Sequence, residues 1–373
     1  MTDRRAPREL FIGLMSGTSQ DAVDGVLAEF AQGHVPHLIA SHSVALPAQL
    51  RAELDALQAP GGGALDHALS LHHEIGCRFA ECTLELLALA GLPAKAVRAI
   101  GSHGQTVRHA PNGAAPHSLQ IGNPALIAIR TGIATVADFR SSDIAAGGQG
   151  APLAPAFHNV AFGGQRARAV LNLGGMANIS ILGGAGRRVL GWDVGPANAL
   201  LDAWAQRHLR QPYDANGRFA ASGDVNAALL EALLAHPYLA RPAPKSTGRE
   251  DFNISWLDSV LAAFSGLAPA SVQATLAEFT AACAELALAD HPAVVELLVC
   301  GGGVANLDLM RRLAARIPRV AVASTAEAGV DPRWVEALAF AWLARLRVHE
   351  QALDLGTITG ARRPVVLGCV YLP

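Results

Sequence analysis

Glu9-Leu10-Phe11-Ile12-Gly13-Leu14-Met15, then Ser16-Gly17-Thr18-Ser19, then Asp24-Gly25-Val26-Leu27-Ala28-Glu29-Phe30 is the stretch on which the fold turns. Apolar residues on either side of a break of small residues predict a strand, a turn and a second strand. A further apolar run, His37 to Val44, follows. The same figure returns half a chain later. Arg168 to Leu173 reads as a strand, Gly174-Gly175-Met176-Ala177-Asn178 as a turn and Ile179 to Leu182 as a strand. Val189 to Trp192 then delivers Asp193-Val194-Gly195. Two copies of one hairpin predict an α/β protein of two similar lobes; unrelated hairpins are the alternative.

Working outward, helices are expected over Pro47 to Leu57 and Leu65 to Ala90, the latter striped by Leu69, His72, Ile75, Phe79, Cys82 and Leu86. Val97 to Gly101 is a short strand ending in Gly101-Ser102-His103-Gly104-Gln105, Asn123 caps a helix opened by Pro124, and Ala134 to Ala137 is a strand. The Gly-, Ala- and Pro-rich segment Ala145 to Pro155 reads as a crossover. Pro196 is placed at the start of a helix through Arg207, and further helices at Ser222 to His236, Ser255 to Phe264, Val272 to Leu288 and Asp331 to Val348. Val294 to Cys300 is a buried strand leading into Gly301-Gly302-Gly303. The lobe boundary is expected near 165/166, giving lobes 1–165 and 166–373, with the C-terminal helix able to pack back on the first.

Composition narrows the function. Among 373 residues, 51% are apolar and 16% charged, with a net charge of −2, which excludes disordered and fibrous classes and argues against a nucleic-acid partner. The only lysines, Lys95 and Lys245, do not follow glycine, so a Walker A loop is absent. Five scattered cysteines without a C-x-x-C pair read as reduced thiols. No signal-peptide core or membrane-length apolar run is found, so a cytoplasmic protein is expected.

Phosphate groups bind where backbone N–H groups come close without side-chain obstruction. Three turns at strand ends offer this: Ser16-Gly17-Thr18-Ser19, Gly174-Gly175 and Gly301-Gly302-Gly303. None fits the dinucleotide fingerprint. Carboxylates stand beside them. Asp21 and Asp24 follow the first turn, and Asp193 ends a strand, where a phosphoryl-transfer enzyme places its acid. Capping is the competing reading for each, and the better one for Asp24. His103 is a candidate substrate contact, and Arg140, Asp143 and Gln149 could hydrogen-bond a sugar; the alternative is loop side chains in water. Ser102-His103 invites a hydrolase reading, although no G-x-S-x-G is present. His72, His73 and Glu74 lack the second histidine of H-E-x-x-H, since Cys77 stands there. Pro244 to Glu250 is either a surface turn or a lid contact.

These residues resemble a known family. Phe11-Ile12-Gly13-Leu14-Met15-Ser16-Gly17-Thr18-Ser19 with Asp21 and Asp24 is similar to the opening motif of the anhydro-N-acetylmuramic acid kinases. Gly101 to Val107, Leu119 to Gly122, Val136 to Arg140, Gly147 to Leu153, Asn172 to Gly175, Pro244 to Glu250 and Cys300 to Gly303 match later motifs in order, to Val366-Leu367-Gly368. The resemblance implies a two-lobed actin-like ATPase fold, a ribonuclease H-like duplication with ATP in the cleft between lobes. It implies opening of 1,6-anhydro-N-acetylmuramic acid by water with ATP phosphorylating O6, giving N-acetylmuramate 6-phosphate and ADP in cell-wall recycling. It assigns Gly17, Thr18, Ser19, Gln20, Asp21, Ala22, Val23 and Asp24 to ATP, together with Gly174, Gly175 and Gly301 to Gly303. Asp193 falls on the catalytic aspartate, His103, Gln105, Arg140 and Glu336 on the sugar, and Asp21 on Mg²⁺ through water. A homodimer is implied as well. This chain departs from the family at Gln20, at Ala22 where glycine is usual, and at Val194 and Ala197 where threonine and glycine are usual. An ATPase switch without a sugar substrate and an ATP-independent hydrolase are the competing readings.

Overall fold

The computed structural model describes residues 8–17, 20–31, 35–58, 65–184 and 188–373. The chain divides into two compact units: one runs to Ala161 and takes back Trp334–Pro373, and the other is Phe162–Arg333. The 166–373 lobe expected from the sequence therefore loses its last forty residues to the first unit.

In the first unit, β1 (Glu9–Met15), β2 (Ala22–Phe30) and β3 (His37–Ala45) form an antiparallel meander. β4 (Val97–Ser102) runs parallel to β1, while β5 (Gln105–Ala110) and β6 (His117–Ile121) form a separate hairpin. β7 (Thr135–Ala137) lies parallel to β4, so the order is β3-β2-β1-β4-β7, edged by the C-terminal strand Cys369–Tyr371. Ile12 and Leu14 face the core built with Ile75, Phe79 and Cys82 of helix Leu65–Ala90. The apolar stripe of that helix starts at buried Leu71, and Leu69 is exposed. Gly13 points to the other face, where the C-terminal helix Val335–Val348 lies. A Cβ on Gly13 would sit 1.9 Å from the Ala337 carbonyl oxygen, and one on Gly101 2.0 Å from that of Phe340. Only glycine on β1 and β4 lets the helix backbone come this close, which is why the C-terminus packs here.

The second unit repeats the plan. β8 (Arg168–Leu173), β9 (Met176–Leu182) and β10 (Val189–Pro196) are antiparallel, and β11 (Glu296–Cys300) and β12 (Ala321–Ser324) add in parallel. The order β10-β9-β8-β11-β12 is that of the first unit, strand for strand. The duplication is real. Helix Pro269–Leu288 is buried along most of its length, because small residues such as Ala274, Ala277, Ala281 and Ala284 let neighbours close around it.

Two local expectations are corrected. Pro196 closes β10, and the helix starts at Asn198 after Ala197, with no side-chain cap, so Asp193 does not cap it. The crossover Ala145 to Pro155 is flanked by helices Ser141–Ala145 and Ala154–Phe162.

Candidate active site

β10 is an edge strand, and Asp193 sits where its register shifts before Gly195. The Asp193 N–H donates to the Lys245 carbonyl at 3.2 Å, and its carbonyl accepts from the Tyr238 hydroxyl at 2.6 Å. Its carboxylate Oδ2 accepts the Thr247 backbone N–H at 3.0 Å, and the residue is 8% exposed. A buried carboxylate oriented by a backbone donor is a positioned charge, fit to accept a proton. The segment Pro244 to Glu250 is thus no free surface turn: it forms one wall of the Asp193 site. Thr247 is held in turn by its hydroxyl, which donates to Asp251 Oδ2 at 2.7 Å. Burial, and then the Asp193 charge, push the Tyr238 phenol far up, so it stays protonated and donates. Tyr238 carries no motif of its own, and Thr247 stands in the Pro244 to Glu250 motif without its partner being readable from sequence.

Near Asp193, the Gly174 and Gly175 carbonyls accept N–H groups from Ala197, Asn198 and Ala199, tying the hairpin to the start of helix Asn198–Leu209. The Gly301 to Gly303 turn divides in role. Gly301 has φ +82°, and a Cβ there would lie 2.5 Å from Asn172 Oδ1; one on Gly303 would lie 2.5 Å from the Leu173 Cβ. These two glycines serve packing. A Cβ on Gly302 would meet nothing closer than Asn198 Nδ2 at 3.9 Å, so its backbone is open to a ligand.

In the first unit the turn after β1 is braced by side chains. Ser16 Oγ donates to Gln105 Oε1 at 2.7 Å, and Gln105 Nε2 donates to the Gly17 carbonyl at 3.3 Å. Gln20, buried at φ +57°, donates to Gln58 Oε1 at 3.0 Å. Thr18 and Ser19 lie outside the described residues. Gly17 has open space around its Cβ position. Ala22 starts β2, the Val23 side chain is in the core, and Asp24 accepts from Ser43 Oγ across the sheet. Asp21 is largely exposed, with Arg51 Nη1 at 3.5 Å.

His103, Arg140 and Glu336 belong to this first unit with Gln105. Arg140 Nη2 lies 2.8 Å from His103 Nε2, and His103 Nδ1 lies 2.8 Å from the Gly104 carbonyl. A guanidinium only donates, so Nε2 is the acceptor and the proton is on Nδ1. Burial, and then Arg140, lower His103 to about 3 and keep the ring neutral. With both nitrogens engaged, His103 is no base for Ser102, and the serine–histidine hydrolase reading fails. Phe340 packs on the His103 ring at 4.7 Å, and Glu336 stands one turn earlier on the same helix face. Asp143, expected as a sugar contact, is fully buried and accepts from Thr359 Oγ1 and the Gly150 N–H, both at 2.7 Å, so it holds the loop that orients Arg140. His72 Nδ1 accepts the Gly122 N–H, and among the described residues no cluster of metal-ligating side chains forms. Among the described residues no helix is long and apolar enough to cross a membrane.

The chain matches the family model "Anhydro-N-acetylmuramic acid kinase" over residues 9–373. It is 51% identical over 369 residues to the anhydro-N-acetylmuramic acid kinase of Burkholderia cenocepacia, covering 97% of this chain and 96% of that one. The protein of that name from Variovorax paradoxus is 51% identical over 372 residues, covering 97% and 99% of the two chains. That of Bordetella pertussis is 52% identical over 369 residues, covering 98% and 96%. With its acid, its glycine turns and its repeated sheet inside one continuous match, this chain belongs to the anhydro-N-acetylmuramic acid kinase family.

Proposed function

We propose that this chain uses ATP and water to open 1,6-anhydro-N-acetylmuramic acid and phosphorylate its O6, forming N-acetylmuramate 6-phosphate and ADP. The observation that carries the reading is the Asp193 carboxylate, buried at the register shift of an edge strand and oriented by the Thr247 N–H, within a family match over residues 9–373. Asp193 takes a proton from water as the water oxygen bonds to the anomeric carbon. The bond from that carbon to O6 breaks, O6 bonds to the γ-phosphorus, and ADP leaves. O6 is the leaving group of one displacement and the nucleophile of the other, so one base serves both.

The phosphate-holding segments are Gly17 to Asp24, Gly174-Gly175 and Gly302; at Gly17 and Gly302 the space a side chain would fill is open, which suits close approach of a phosphate. Val23 contributes backbone alone, and Gly301 and Gly303 support Gly302. Mg²⁺ would neutralise phosphate charge, and the exposed carboxylate of Asp21, a hard oxygen donor, is the residue to reach it through water. His103, Gln105, Arg140 and Glu336 hold the sugar, Arg140 supplying a fixed cation. A homodimer is carried by the family resemblance.

The test is incubation with the anhydro sugar, with and without ATP and Mg²⁺. ADP and a sugar 6-phosphate in equal amounts are expected. ADP without sugar would point to the switch, and ring opening without ATP to the hydrolase; either overturns the proposal.

A further inference from the structure

Asn178 stands directly opposite Asp193 across the β9–β10 pair. The Asp193 N–H donates to Lys245 and its carbonyl accepts from Tyr238, on the side where the 238–247 segment lies. Residues directly opposed on an antiparallel pair present their side chains on one face, with Cβ atoms about 4.5–5.5 Å apart. Asn178 Oδ1 is buried and has no hydrogen-bond partner among the described residues. A buried amide oxygen left without a donor is costly, a cost that a bound donor removes. On its other side Asn178 faces Asn172, making a polar row of Asn172, Asn178 and Asp193 across three strands.

Resting on the function proposed above, we infer that Asn178 Oδ1 is the second acceptor for the attacking water. Water carries two protons and needs two acceptors to aim a lone pair at carbon. Asp193 accepts the proton that leaves. Asn178 accepts the proton that stays on the new anomeric hydroxyl, so atoms and charge balance without a further group. A carbonyl acceptor suits this place because it cannot compete with the carboxylate for the proton.

The experiment is steady-state kinetics on Asn178→Ala and Asn178→Asp, with ATP binding followed by calorimetry. Asn178→Ala should lower kcat about 30-fold, with both KM values within about threefold and ATP binding unchanged. Asn178→Asp sets a second carboxylate beside Asp193. It should raise the acidic limb of the pH profile of kcat/KM by about one unit, a shift that lost packing would not produce. If the alanine variant fails to fold, Asn178→Ser replaces it and should retain part of kcat. A kcat within threefold of wild type, a loss confined to sugar KM, or an unmoved acidic limb would each overturn the inference while the function stands. A wild-type chain that forms no sugar phosphate would overturn the function, and this inference with it.

Discussion

The two sheets share a strand order but differ at one station. Counting back from the last pairs of each first hairpin, Met15–Asp24 and Leu173–Ala177, the next row inward is Leu14, Gly25 and His42 in the first unit. In the second it is Asn172, Asn178 and Asp193. The first row is packed: Leu14 is fully buried, and a Cβ on Gly25 would lie 2.7 Å from Cys82 Sγ. The second row is polar and flanked by the Lys245–Thr247 segment. One backbone plan thus yields a support on one side and a chemical edge on the other, decided by what packs over the same three strands. The sharpest break of this comparison is a matched pair of substitutions. Asp193→Asn should cut kcat by about a thousandfold while ATP still binds, as expected for a lost general base. His42→Gln at the matching station should leave kcat within about twofold. Equal losses at both stations would show the contrast to be false.

Next in size are effects on stability, where a packing glycine of the first unit is set against an open one of the second. Gly101→Ala drives a Cβ into the Phe340 carbonyl, backbone that cannot rotate away, and should cost about 3 kcal/mol. Gly302→Ala meets open space and should cost less than about 1 kcal/mol yet weaken ATP binding. Denaturant melts and nucleotide titrations of the two variants separate packing from ligand approach.

Much of this was legible in sequence because apolar alternation and small-residue turns are local signals. Both hairpins, the strand before Gly301 and the strand that leads to Asp193 follow from them, although that strand runs on to Pro196. What escaped is set by distant pairing. Pro196 reads as a helix start by composition, but the edge-strand register extends β10 through it. Asp143 reads as a polar loop residue, and its burial depends on Thr359, 216 positions away. Tyr238 and Thr247 acquire meaning only once β10 lies beside their segment. The return of the C-terminal helix was written in Gly13 and Gly101, but a glycine in a strand does not say which backbone it admits.

Acid should separate the units further. Burial is the first cause lowering His103 to about 3, His109 to about 4 and His158 to about 3, and all three lie in the first unit. In the second, His208, His236 and His291 are lowered too, but they are exposed or half-buried. A histidine whose folded pKa is depressed binds its proton on unfolding. Its neutral form therefore supports the fold fully above about pH 6.5, and that support is lost as pH falls towards 4 and then 3. The slope is about 1.4 kcal/mol per pH unit for each such histidine. Hydrogen exchange at pH 4.5 against pH 7 should show protection lost from the first unit while the second keeps it, and His158→Leu should move the acid midpoint to lower pH. Loss of protection in the second unit first would contradict the assignment.

The smallest effect tests the acids rather than the units. Asp193 is buried and fixed by Thr247, whereas Asp21 is exposed with Arg51 Nη1 at 3.5 Å. An exposed pair at that distance, screened by salt, contributes about 0–1 kcal/mol. Arg51→Ala should therefore leave the melting temperature within about 2 °C, while Asp21→Asn, if Asp21 reaches Mg²⁺ through water, should raise the Mg²⁺ concentration needed for half-maximal turnover without changing kcat at saturating metal. The two variants part the roles of this carboxylate: a surface pair touches neither readout, and a metal-side acid moves the second alone. Unchanged Mg²⁺ dependence in Asp21→Asn would leave Asp21 as a surface charge and place the metal on phosphate oxygens and water.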